Sequence, residues 1–92
     1  MPKVVLKGFI LVPERDLLAV IGELKNHRRL TQQEPGCREF RVTQNSEVST
    51  RFDVYEEFVD KEAFEAHQLR IKTSTWVEIS ENVTRHYQIF ES

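Results

Sequence analysis

The chain opens on an apolar run, Val4 to Val12, interrupted only by Lys7 and Gly8. Apolar residues fall on both alternating faces, the pattern of a strand covered on two sides. Pro13 ends it. Glu14 and Asp16 then place acid at the positive end of a helix, and Leu17, Ile21, Leu24 and His27 mark one helical face as far as about Thr31. Lys25, Arg28 and Arg29 complement the helix's negative pole. The helix must stop by Pro35, because proline disfavours helical geometry in the residue before it, and Gly36 can supply a turn with positive φ. Cys37 to Gln44 reads as a second strand with Phe40 and Val42 on one face, and the small polar stretch Asn45 to Thr50 as a hairpin loop. In a third strand, Arg51 to Val59, Phe52, Val54 and Phe58 share a face and Tyr55 takes the other. Asp60 caps a second helix that turns Phe64, His67 and Ile71 to one side. A looser helical segment with Trp76, Val77 and Ile79 ends near Asn82, and His86 to Phe90 forms the last strand.

The order is β-α-β-β-α-β, an α+β ferredoxin-like arrangement with a four-stranded antiparallel sheet and helices on one face. No linker or low-complexity segment divides residues 1–92, so a single domain is expected. A chain this short buries only about 60–65% of its unfolded surface. The two-sided apolar first strand therefore predicts that the helix-free face is covered by a second copy, as a homodimer.

Composition removes several function classes. Thirteen basic and fifteen acidic residues give a formal charge of −2, without the basic footprint of a nucleic-acid binder or of a membrane-surface anchor. No apolar run approaches the roughly 20 residues that span a bilayer, and no secretory leader is evident. With one cysteine and no internal disulfide, a cytoplasmic location is expected. Cys37 begins a strand after a helix C-terminus, the wrong end of the dipole for a reactive thiolate, and reads as a packing residue in the core. Spacing offers no zinc set and three scattered glycines offer no phosphate loop, so neither a metal nor a nucleotide-type cofactor is expected. His27 and His67 lie on the apolar faces of the two helices, where a hydrogen-bonded core histidine and a base are both open readings. Glu56-Glu57, Glu62 and Glu65 read as solvated faces.

The segments "EPGCREFRV" and "RFDVYEEFVDKEAFEAHQ" resemble the antibiotic biosynthesis monooxygenase superfamily of dimeric α+β barrels. Its pattern is a helix ending in E-x-G-C, an aromatic strand, then a Y-E-x-W-like segment running into D-x-x-A-F-x-x-H. Glu34, Gly36, Cys37, Phe40, Tyr55, Glu56, Asp60, Ala63, Phe64 and His67 match it. Phe58 stands where tryptophan is frequent, and Arg70 and Lys72 stand where many members have serine and a second histidine. Members include small quinol monooxygenases that use no metal or flavin, haem-degrading enzymes and isomerases acting on signalling sugars. The first strand lacks the asparagine of the haem degraders. The resemblance implies a cofactor-independent monooxygenase that oxidises a small aromatic quinol or phenol with dioxygen. His67 would be the base or proton relay and His27 a second participant, with Phe40, Tyr55, Phe58, Phe64 and Trp76 around the ring. Two other functions fit the same residues: a non-enzymatic dimer binding a small hydrophobic metabolite, and a proton-shuttling isomerase.

Overall fold

A computed structural model describes residues 2–92. Strands β1 (Val4–Leu11), β2 (Cys37–Gln44), β3 (Arg51–Phe58) and β4 (Thr84–Glu91) form one antiparallel sheet in the order β2-β3-β1-β4. Helices α1 (Leu17–Gln32), α2 (Lys61–Lys72) and the short α3 (Thr75–Ile79) complete the β-α-β-β-α-β ferredoxin-like fold. The last strand is longer than the sequence pattern suggested, beginning two residues earlier at Thr84.

Period-2 patterning is clearest in β3, where Phe52, Val54, Glu56 and Phe58 are buried and the residues between them are partly exposed. Cross-strand register brings Leu6 opposite Glu56, Ile10 opposite Phe52 and Val42 opposite Val54 on the same inner face. The core closes when α1 lays Val20, Leu24, His27 and Thr31 toward that face, with Leu17 and Ile21 packed at its margin. Asp60 caps α2 as expected, its carboxylate accepting from the Ala63 amide at 2.8 Å. In the β2–β3 connection, Asn45 Oδ1 accepts from the amides of Glu47 and Val48, an Asx-type turn.

Gly36 is needed for a reason other than the one its sequence context suggested. Its φ is not positive; among the described residues only Gly8 has positive φ. Instead α2 starts directly over it, and a Cβ at Gly36 would collide with the Cβ of Ala63. The Gly36 carbonyl also accepts from the Val59 amide at 2.9 Å, tying the start of β2 to the end of β3. Gly36→Val should therefore lift α2 from the sheet and lower stability by about 1–3 kcal/mol, the usual cost of overpacking. Thermal melting checks this, and an unchanged midpoint would show that α2 does not press on Gly36.

Cys37 is only partly buried and lies outside the main core cluster, which corrects the expectation of a core residue. Its neighbours still argue against reactivity. Burial first, then the carboxylates of Glu34 and Glu56, push its thiol up from the ordinary value.

Candidate active site

The inner face of the sheet and the three helices enclose a cavity of about 220 Å³. Cavities of roughly 150 Å³ already admit a benzene ring, so this one suits a one- or two-ring aromatic. Leu6, Leu24, Phe40, Val54 and Trp76 supply apolar wall, and His27, Glu56, Gln68, Arg85 and Tyr87 supply the polar groups.

Three elements converge behind that wall. Thr31 and Glu34 come from the end of α1 and its exit turn, His67 and Arg70 from α2, and Glu56 from β3. The His67 ring is fully buried, with Nδ1 2.6 Å from Glu34 Oε1. Arg70 Nε donates to the same oxygen at 3.2 Å, and its terminal nitrogen donates to Thr31 Oγ1 at 2.9 Å. Arg70, a departure from the usual family pattern, thus holds Glu34 in place. Because Nδ1–H is committed to Glu34, His67 Nε2 carries the free lone pair. That atom is buried without a hydrogen-bond partner and lies 3.6 Å from Glu56 Oε1.

The electrostatics follow from burial. Desolvation, helped by the nearby Glu34 carboxylate, pushes the Glu56 carboxyl up to about 7. Desolvation lowers His67, and Glu34 only partly opposes it, so the imidazole is held neutral. His27 is lowered to about 3 by burial and then by the fields of His67, Arg70 and Arg85. Tyr87 keeps 36% of its surface exposed, but desolvation of its hydroxyl first, then Glu56, push the phenol up to about 12, leaving it a neutral hydrogen-bond donor. The result is a carboxyl poised near neutrality on the cavity wall, backed by an imidazole with one nitrogen open.

The sequence-derived site residues separate into three groups. His27, Phe40 and Trp76 line the cavity, with His27 stacked on Trp76 at 5.0 Å and meeting Phe40 edge-on at 5.3 Å. His67, Phe58 and Phe64 pack behind the wall, Phe58 lying 4.9 Å from the His67 ring and 5.6 Å from Phe64. Tyr55 is elsewhere. Strand alternation sends it to the outer face of the sheet, where its hydroxyl donates to Glu57 and Arg41 lies over its ring. Glu56 is 7% exposed, which overturns its reading as a solvated residue. Glu56, Gln68, Arg85 and Tyr87 are the cavity residues that sequence reasoning missed. Among the described residues, no cluster of three or more His, Cys, Asp or Glu side chains is arranged to hold a metal ion.

The histidines set an acid limit. Both have folded-state values below their unfolded ones, so the unfolded chain binds more protons as pH falls below about 6.5. Their contribution is complete above that pH and is lost progressively on acidification toward the folded His27 value of about 3. In a Glu56→Gln background, which removes the opposite trend of that raised carboxyl, the midpoint of urea unfolding should fall from pH 6.5 to 4. Adding His27→Phe should flatten the fall, and a slope identical to that of Glu56→Gln alone would contradict the assignment.

The family model for antibiotic biosynthesis monooxygenase matches residues 5–77, which includes α1, β3 and α2 but not β4, the source of Arg85 and Tyr87. The chain belongs to the antibiotic biosynthesis monooxygenase family. Solved structures agree on the fold. A Deinococcus radiodurans protein provisionally assigned as an antibiotic biosynthesis monooxygenase superposes with a TM-score of 0.83 at 18% identity, covering 97% of this chain and 91% of its own. A Bacteroides thetaiotaomicron protein described as a possible oxidoreductase gives 0.79 at 20% identity, with 99% and 98% covered. A Nitrosomonas europaea protein, also provisionally assigned as an antibiotic biosynthesis monooxygenase, gives 0.79 at 18% identity, with 99% and 88% covered. Among curated proteins no match was found. Among the described residues of this antibiotic biosynthesis monooxygenase family member, no helix is long and apolar enough to cross a membrane.

Proposed function

We propose that the protein is a monooxygenase that uses dioxygen to convert a small electron-rich phenol or hydroquinone into a quinone, with Glu56 as the base that meets the substrate. The observation that carries this reading is the buried Glu56 carboxyl on the wall of an aromatic-lined cavity, 3.6 Å from the open nitrogen of His67.

The chemistry is ordered by where protons and electrons go. Glu56 takes the phenolic proton, and the neutral His67, its Nε2 facing that carboxyl and its Nδ1 held by Glu34, orients the acid so formed. The phenolate passes one electron to dioxygen, and the resulting radical pair joins at a ring carbon as a peroxide, which takes the proton back from Glu56. Loss of the hydrogen on that carbon breaks the O–O bond, leaving a carbonyl and releasing water. One oxygen atom stays in the quinone, the other becomes water, and the substrate supplies all four electrons. Tyr87 and Gln68 donate hydrogen bonds to the developing anion, and the apolar wall keeps those interactions strong by limiting water. His27, neutral at working pH, positions the ring by hydrogen bonding and by its stack with Trp76.

Oxygen uptake by chelator-treated protein across a panel of hydroquinones and naphthols tests the proposal. Turnover above the spontaneous rate supports it. Tight binding without oxygen uptake would instead favour a binding module.

Pairing of two copies belongs to the same proposal. The sheet face opposite the helices carries partly exposed Phe9, with Leu11 39% and Phe90 47% exposed. The isologous dimer would bury this face, and sedimentation at micromolar concentration should give twice the chain mass of 10.9 kDa. A monomer at that concentration would contradict it.

A further inference from the structure

Resting on the reading of this cavity as a site for a phenol, we infer that its substrate also carries a carboxylate, held by Arg85, which pairs with Ile10 while Glu56 pairs with Leu6, four residues further back along β1.

Arg85 lines the cavity from β4, whose residues are exposed, and its guanidinium is held by two hydrogen bonds. One terminal nitrogen donates to Ser80 Oγ at 2.7 Å and the other to the Val83 carbonyl at 3.3 Å. Ser80 and Val83 are themselves buried, at 1% and 6% exposure, so the anchor is rigid. Those two bonds and a third to the Tyr87 hydroxyl leave two of the five guanidinium N–H groups free. Arg41, Arg51 and Arg70 each meet a carboxylate within 4.0 Å, but among the described residues Arg85 meets none. An oriented cation with spare donors in a cavity wall is matched by a planar anion that accepts two parallel bonds, and a carboxylate has that shape.

The other charged group of the wall fixes the direction. A substrate carboxylate beside Glu56 would be repelled, whereas a phenolic hydroxyl there would find its base. The substrate class is therefore a hydroxyaryl carboxylate, with the hydroxyl toward Glu56 and the carboxylate toward Arg85. Arg85 acts in binding and orientation and does not touch the reacting carbon.

Calorimetric titration under nitrogen tests this without turnover, using 6-hydroxy-2-naphthoate and its uncharged carboxamide at pH 7.5. Hydrogen bonds to a charged group are worth about 1.5–3 kcal/mol, so wild type should bind the acid about 10- to 100-fold more tightly than the amide. Arg85→Gln should bring acid and amide to about equal affinity, with the larger loss on the acid, and Arg85→Lys should retain a reduced preference for the acid. Equal binding of acid and amide by wild type would overturn the inference. So would an undiminished preference for the acid in Arg85→Gln, or no preference in Arg85→Lys should the glutamine variant fail to fold. Acid-selective binding without oxygen uptake in air would sink the monooxygenase reading and leave this one standing.

Discussion

Glu56→Gln should lower turnover by about 10²–10⁴-fold, the usual cost of removing a general base, and should make the protein more stable above neutral pH. The two effects share one cause. Glu56 is held near 7 in the fold, against about 4.5 for the free side chain. Because the folded value is raised, the folded state binds more protons than the unfolded state between those limits. The penalty is absent below pH 4.5, grows as pH rises, and is complete above 7, where it amounts to roughly 3 kcal/mol. Glutamine copies the neutral acid and removes the penalty, so the melting temperature at pH 8 should rise while oxygen uptake disappears. Loss of activity with loss of stability would mean that Glu56 is a structural partner. Unchanged turnover would remove it from the mechanism. In wild type the rate should climb through pH 7 as the carboxyl loses its proton, a limb that the variant should lack.

His67→Ala is the second large effect, and it should reduce both quantities. The ring fills fully buried space against Phe58 and joins Glu34 to Glu56, so its removal leaves a cavity and two separated carboxylates. Destabilisation of about 3–5 kcal/mol is expected from the lost aromatic packing. Turnover should also fall about 10²–10⁴-fold, because Glu56 loses the imidazole that orients it toward the substrate. His67→Gln fills the space with less loss of packing, and should recover stability without recovering the rate. Full oxygen uptake by a folded His67→Gln variant would restrict His67 to packing.

These outcomes mark where the sequence was informative. The fold was legible because each element carried a local signal: alternation in β3, the Asp60 cap, and the Pro35-Gly36 stop after α1. His67 was legible as an inward helix position, although not as a residue sealed behind the wall. Glu56 shows a signal that was present but misread. It lies between Val54 and Phe58 in strict alternation, which places it on the buried face. Its neighbour Glu57 made the pair resemble a solvated run, and only Glu57 faces outward, within 3.6 Å of Lys3. Tyr55 obeys the same parity in the opposite sense, so its place away from the cavity could have been read too. Arg85 is hidden in the sequence because the strand pattern is recognisable only from His86 onward, one residue after it. Gly36 and Ala63 could not have been paired from local pattern, since their contact joins positions 27 residues apart through tertiary packing.

The central claim is that dioxygen and a phenol react in this cavity with Glu56 as base, and a single-turnover experiment with ¹⁸O₂ tests it most directly. Protein, a bound hydroxynaphthalene and labelled dioxygen are mixed, quenched, and the product weighed by mass spectrometry. Wild type should form a quinone carrying one ¹⁸O atom, almost absent with Glu56→Gln. Product without label, or labelled product formed equally by both proteins, would contradict it.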